Sequence, residues 1–285
     1  MTHGDGPILA TAQTDAAAGI PLHYGCDLDA LPDDLARCFV RLHCDDAARR
    51  FLDGVLGARH GRFLTGVYRS LRKLLSDYDA YGLLGMYAMH LLSTPQLQVL
   101  LGNRPHSMTH PRRLLDVGAG NGDITALAAT LFDAVAVTEA STVMRRRLRT
   151  RGFRVLDCDL ATQPLPDGEQ FDAVLCCNVL DRCTHPRTLL RNLRAGLVPD
   201  AVLLITVPLP LSPHVQRRGH TSDPDEPLPA PSETWEVGAA SLAREVFTPA
   251  GLRVQRLSRV PYLCRGDAAK PLYVLDAAVF VCVSI

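Results

Sequence analysis

Net charge is the first thing this chain lacks. Thirty lysines and arginines balance 30 aspartates and glutamates. No global electrostatic bias therefore draws the chain to nucleic acid or to an acidic membrane, and any partner must be recognised locally. Metal-binding patterns are missing too. The nine cysteines form no C-x-x-C pair, and the histidines show neither H-E-x-x-H nor another zinc spacing, so no metal is expected. His106 and His110 are four apart, but Pro111 follows and the segment reads as a loop. Cys176 and Cys177 are adjacent in an apolar run that reads as a strand. Neighbours on a strand point to opposite faces, which makes a poor metal or disulfide unit. The cysteines read instead as buried thiols of a reducing compartment. No stretch approaches the ~20 apolar residues of a membrane span. The first twenty residues have no basic n-region and so do not read as a signal peptide. Residues 1–20 are expected to be a flexible tail, and the protein a soluble, cytoplasmic monomer.

What is present is a large apolar fraction, 47% of 285 residues, enough to bury a core without staples. The length suits one large domain or a catalytic domain with an added module. Residues 21–110 read as an all-helical module. Asp33 and Asp34 follow Pro32 as a first helical turn, with Leu35, Phe39 and Leu42 at helical spacing behind them. Ala48, Phe51, Leu52, Val55 and Leu56 form a second pattern ending near Gly57, and Phe63, Val67, Leu71, Leu74 and Leu75 a third. Ser93-Thr94-Pro95 reads as a helix start.

From residue 111 to 285 the pattern changes. Apolar runs (RRLLDVGAG, AVAVTEA, FRVLDCD, FDAVLCCNVL, AVLLITVPL) alternate with helical segments, as in βαβ units on a parallel sheet covered on both faces. Two further runs, LRVQRLSRV and YVLDAAVFVCVSI, suit an antiparallel pair closing that sheet. The stretch 208–238 breaks the rhythm with seven prolines, and a loop this long is expected to be functional or disordered.

The first run leads into Gly118-Ala119-Gly120-Asn121-Gly122-Asp123, a glycine-rich turn between strand and helix that lets backbone approach a ligand closely. Asp123 stands where a dinucleotide fold would want its third glycine, and Asp116 precedes the first. A carboxylate there repels a pyrophosphate but suits a cationic amino-acid ligand. This favours S-adenosylmethionine (SAM) over a nicotinamide dinucleotide. Glu139, 23 residues after Asp116, is placed to hold both ribose hydroxyls, or else to cap the next helix. In Asp157-Cys158-Asp159 a carboxylate, Asp159, or a backbone amide could meet the adenine amine, although an aspartate is equally natural in a turn. The arginines at 145, 146, 147, 149 and 151 read as the solvated face of a helix stopped by Gly152, not as a nucleic-acid patch. The fold expected is α/β: a class I SAM-dependent methyltransferase, Rossmann-like, with a mostly parallel seven-stranded sheet and an N-terminal helical module.

The segments LLDVGAGNGD, VTEA, Asn178-Val179-Leu180-Asp181-Arg182-Cys183, PYLCRGD and YVLDAAVFV, with LLGMYAMHLLSTPQ nearer the N-terminus, resemble the methyltransferase-like protein 9 (DREV) family. The likeness runs from about residue 20 to the C-terminus. Members methylate protein histidine at the pros nitrogen, within His-x-His sequences where x is small. The resemblance implies that Glu139, Asn178 and Tyr262 contact the cofactor, with Asp116 and Gly118 lining the same pocket; Gly120 of the turn is expected to bind the cofactor too. It implies that Asp181 and Tyr273 face the substrate imidazole, with Asn178 beside them. A neutral imidazole already offers a lone pair at neutral pH, so the protein must supply tautomer, orientation and proximity. Asp181 suits that role; capping of the next helix is its other reading. The chain departs from the family in three respects. The N-terminal hydrophobic segment usual in animal members is absent, His214 stands where a tyrosine is usual, and Leu272-Tyr273 replaces a tyrosine pair.

Overall fold

The computed structural model of the protein describes residues 14–57, 88–102, 111–217, 220–266 and 270–285. The helical pattern at 63–75 and the His106–His110 pair lie outside the described residues. Strands β1 (Thr14–Ala17) and β2 (Ile20–His23) form an antiparallel hairpin, so the segment expected to be a tail through residue 20 is ordered from residue 14. Helix α1 (Asp33–Arg37) begins after Pro32, and α2 (Asp46–Gly57) buries Ala48, Leu52 and Val55. The expected helical run from Leu35 to Leu42 stops at Arg37, and Phe39 instead bridges to Leu257 of a later strand. Strand β3 (Met89–His90) departs from the all-helical expectation for this region. Two residues are too short a strand for any period to show in sequence. Helix α3 (Thr94–Leu101) starts at a full capping box, with the Ser93 hydroxyl accepting from the Gln96 N–H and the Gln96 side chain accepting from the Ser93 N–H.

The remaining elements alternate as the apolar runs predict: β4 (Arg113–Val117), α4 (Asp123–Ala129), β5 (Ala134–Thr138), α5 (Thr142–Thr150), β6 (Arg154–Val155), β7 (Phe171–Cys177), α6 (Pro186–Ala195) and β8 (Leu197–Leu209). After β8 come a short hairpin, β9 (Val215–Arg217) with β10 (His220–Ser222), then α7 (Trp235–Ser241), which runs into a π-helical turn, Leu242–Phe247. The chain closes with β11 (Leu252–Arg265) and β12 (Leu272–Ser284).

One eight-stranded sheet results, in the order β3-β11-β12-β8-β7-β4-β5-β6. The five strands from β8 to β6 are parallel. Strand β12 runs antiparallel to β8, β11 to β12, and β3 to β11. The expected seven strands are all there, and β3 adds an eighth at the edge. Successive side chains go to opposite faces. Leu115, Val174, Ile205 and Phe280 pack in one core with α6 and α7, and Leu114, Leu175, Leu204 and Val281 in a second core with α2 and α3. Cys176 and Cys177 divide in the same way between the two cores. The chain order reverses between β4 and β7, so the crevice where open α/β sheets bind ligands lies at the carboxyl ends of those two strands.

The proline-rich stretch is built into the structure. Leu211, Val215 and Trp235 are buried, and the loop is fastened to the segment after β7. The His214 N–H donates to the Asp181 carbonyl (2.9 Å) and the Asp225 N–H to the Thr184 carbonyl (2.8 Å). The Glu226 carboxylate accepts from the Thr188 N–H (2.7 Å) and hydroxyl (2.6 Å). These anchors are single polar groups with no periodicity, which is why the sequence pattern does not display them.

Candidate active site

The turn after β4 demands glycine. Gly118 and Gly120 adopt φ values of +67° and +59°, a left-handed backbone that side chains disfavour. A Cβ on Gly118 would also lie 2.5 Å from Cγ2 of Val179, in the loop after β7. The two loops at the switch point therefore touch here without room for a methyl group. The Gly118 and Ala119 N–H groups donate to the Thr138 carbonyl (2.9 and 3.1 Å), tying the turn to the end of β5. Asp123, the first residue of α4, pairs with Arg151 at 2.8 Å, so one of the five arginines braces this turn. Arg145 and Arg149 pair with Asp157 at 3.2 and 2.9 Å, as suits a solvated helix face.

Glu139 holds the turn from the other side. One carboxylate oxygen accepts from the Gly120 N–H (2.8 Å) and the other from the Ser141 N–H (2.8 Å). The cap of α5 is Ser141, whose hydroxyl accepts from the Met144 N–H at 3.1 Å. Glu139 is therefore a brace between loops. Asp116 is 2% exposed. Burial raises its pKa to about 7, with the Glu139 charge adding to the rise and the Thr125 hydroxyl, which donates at 2.5 Å, opposing it. Two carboxylates around a glycine turn repel a pyrophosphate and suit a ligand carrying an ammonium and a sulfonium. Asp159 is exposed, and one of its oxygens accepts from the Ala161 N–H at 3.0 Å. The turn geometry expected of an aspartate is thus present.

Asn178 follows β7 with φ +55°. Its N–H donates to the Thr206 carbonyl (3.0 Å), and its side-chain oxygen accepts from the Thr206 hydroxyl (2.9 Å). Asp181 is 1% exposed. Its Oδ2 pairs with Nε of Arg182 at 3.0 Å, whereas Oδ1 is buried with no hydrogen-bond partner. Burial raises its pKa, against the opposing pull of Arg182 and His214. The helix after it, α6, starts at His185 and Pro186, so Asp181 is not that helix's cap.

The two tyrosines lie on the arm formed by β11 and β12. The last rung between β8 and β12 joins Leu209 to Asp276, and Thr206 pairs with both Cys177 and Val279. Tyr273 is six residues beyond Val279, on the order of 20 Å past the carboxyl edge of β7 at the rise of a strand. Its ring is 39% exposed with the Lys270 ammonium 4.5 Å above it. Tyr262, across the arm from Leu275, is buried and donates to Sδ of Met89 at 3.7 Å. Asp116, Gly118, Gly120, Glu139 and Asn178 are thus gathered at the switch point with Asp181 close behind. Tyr262 comes from β11 and Tyr273 from β12, and Tyr262 packs in the second core.

Sequence reading missed Thr125, Thr206 and Arg182 as members of the site. Thr206 carried a signal, being one hydroxyl within the otherwise apolar run AVLLITVPL. Thr125 and Arg182 carried none beyond their nearness to Asp116 and Asp181.

Fold and turn together define a class I SAM-dependent methyltransferase, with SAM as its cofactor. More narrowly, the chain belongs to the DREV methyltransferase family, whose sequence profile matches residues 23–284. Fumosorinone synthetase of Cordyceps fumosorosea (strain ARSEF 2679) is 28% identical over 162 residues, 51% of this chain and 4% of that protein's length. Among solved structures, the chain is similar to the glycopeptide N-methyltransferase MtfA complexed with SAM. That match has 18% identity and a TM-score of 0.44, and covers 67% of this chain and 92% of that one. It is similar also to the N-methyltransferase NodS of Bradyrhizobium japonicum WM9 complexed with S-adenosylhomocysteine, at 18% identity and TM-score 0.44, covering 76% and 98%. Among the described residues, no helix is long and apolar enough to cross a membrane.

Asp116 gives the site a pH dependence. A cation bound beside it favours the ionised carboxylate, so SAM binding is expected to release the Asp116 proton wherever the free protein still holds it. Affinity for SAM is therefore expected to fall as pH drops through about 7, and calorimetry at pH 5.5 and 8 measures this. In Asp116→Asn the dependence should flatten. A wild-type affinity independent of pH would contradict the assignment.

Proposed function

We propose that the protein transfers the methyl group of SAM to the pros nitrogen of histidine in His-x-His sequences of target proteins. The observation that carries this reading is the buried Asp181 carboxylate, with one unpartnered oxygen, three residues after Asn178. An acceptor oxygen without a donor in a dry site costs free energy unless a ligand supplies the N–H. A neutral imidazole can do so through its tele N–H, leaving the pros lone pair free. Bound SAM supplies an electrophilic methyl carbon on a sulfonium. Asp181 then orients the ring and selects its tautomer. As the pros nitrogen bonds to the methyl carbon and the carbon–sulfur bond breaks, the ring gains positive charge. Asp181 takes the tele proton and passes it to solvent, with its pKa raised by burial toward that role. Glu139, Asn178 and Tyr262 are proposed to hold the cofactor, with Asp159 near the adenine, and Tyr273 to meet the substrate from the arm.

Labelled SAM and peptides containing His-Ala-His, Ala-Ala-His or lysine alone test the reading. Label on the His-Ala-His peptide is expected. Label on lysine would overturn it. Label only on small molecules of an extract would favour the other reading, a methyltransferase acting on a small histidine-containing or other metabolite.

A further inference from the structure

We infer that Arg182 and His214 are positioning residues that hold the Asp181 carboxylate by one oxygen and reserve the other for the methyl acceptor. This rests on the reading of Asp181 as the group that binds the acceptor.

An arginine next to a carboxylate ordinarily forks onto both oxygens through two parallel N–H donors. Arg182 does not. Its Nε meets Oδ2 of Asp181 at 3.0 Å, and Oδ1, in a carboxyl group only 1% exposed, is left without a partner. The guanidinium's other end is engaged elsewhere, with Nη1 lying against the imidazole of His214, 2.7 Å from Nδ1 and in contact with Nε2. The imidazole is itself fixed. Its Nδ1 is 3.1 Å from the Ser212 carbonyl, which can only accept. The His214 N–H also donates to the Asp181 carbonyl at 2.9 Å. A continuous relay follows: Ser212 carbonyl, His214 ring, Arg182 guanidinium, Asp181 Oδ2. The ionisable groups facing Asp181 are Arg182 and His214, together with the Cys176 and Cys183 thiols, whose pKa values burial raises.

The relay also gives the proline-rich loop a part in the reaction. His214 belongs to that loop and Arg182 to the segment after β7, so the loop sets how the carboxylate is presented.

Two variants separate positioning from mere support of the fold. Arg182→Gln removes the cation and should make Asp181 at least tenfold less acidic. His214→Ala removes the second group that opposes the rise and should move Asp181 in the same direction by less. Carboxyl-carbon NMR of the full chain reads both titrations. In each variant kcat on a His-Ala-His peptide should fall at least tenfold, with SAM affinity within about threefold of wild type, which also confirms folding. Arg182→Lys should restore the acidity in part but not kcat, since one ammonium cannot span both partners. Asp181 titrating identically in wild type, Arg182→Gln and His214→Ala would overturn the proposal, as would wild-type kcat in both variants. Both titration shifts in a protein that labels no histidine peptide would support the relay while refuting the histidine reading.

Discussion

Asp181→Asn should abolish methyl transfer without weakening the fold. The substitution keeps the shape of the side chain but removes the charge proposed to fix the imidazole tautomer and receive its proton. A general base of this kind is worth roughly 10²–10⁴ in rate, so kcat on a histidine peptide should fall at least about 100-fold. SAM affinity should stay within about threefold, because the proposed cofactor groups Gly118, Gly120 and Glu139 are held by one another and by Thr138 and Ser141. Thermal stability should hold or rise. In the wild type, burial opposes the charge on Asp181 and leaves Oδ1 unpartnered, and a neutral amide relieves the first of these costs. Loss of activity together with a large drop in melting temperature would show that Asp181 supports the structure, not the reaction.

The second large effect belongs to Gly118. Gly118→Ala meets two obstacles, the φ of +67° and a Cβ 2.5 Å from Cγ2 of Val179. The backbone strain alone is about 1–2 kcal/mol, and valine is stiff at χ1 and cannot swing aside without moving the loop that carries Asn178 and Asp181. Cofactor affinity and turnover should therefore fall together, each by about 100-fold or more. Gly152→Ala is the matched control. Its φ is +86°, with nothing within 4 Å of the added carbon, so it should show the strain and leave SAM affinity intact. Adding Val179→Ala to Gly118→Ala should recover part of the loss. Calorimetry and peptide kinetics on the set decide it, and wild-type SAM affinity in Gly118→Ala would show that the contact between the two loops is dispensable.

These expectations show what was legible in the sequence and what was not. The glycine turn, its flanking carboxylates and the alternating apolar runs are local patterns, and one backbone geometry satisfies them. They led directly to the parallel strands, to the antiparallel pair β11–β12 and to Glu139 at the tip of β5. Glu139 proved to bind the Gly120 and Ser141 amides at once, a detail no spacing discloses. Short and non-periodic features escaped: the Thr14–His23 hairpin, the two-residue β3, the β9–β10 hairpin and the early end of α1 at Arg37. The hairpins are too short for a period to show, and β3 and the end of α1 owe their place to pairing with distant backbone. Phe39 is the clearest case, because its helical spacing was overridden by a bridge to Leu257 across the chain. Side-chain relays were hidden for the same reason. His214 stood out only as a departure from the family, and its contact with Arg182 exists only once the proline-rich loop is folded back onto Asp181.

The most direct test of the account is the position of the transferred methyl group. Protein, SAM and a His-Ala-His peptide should yield pros-methylhistidine after complete hydrolysis and chromatography against both methylhistidine standards. That product should be lost with Asp181→Asn. The tele isomer would mean that the ring is held by its other nitrogen, and methyl-lysine, or undiminished product from Asp181→Asn, would contradict the central role given to Asp181.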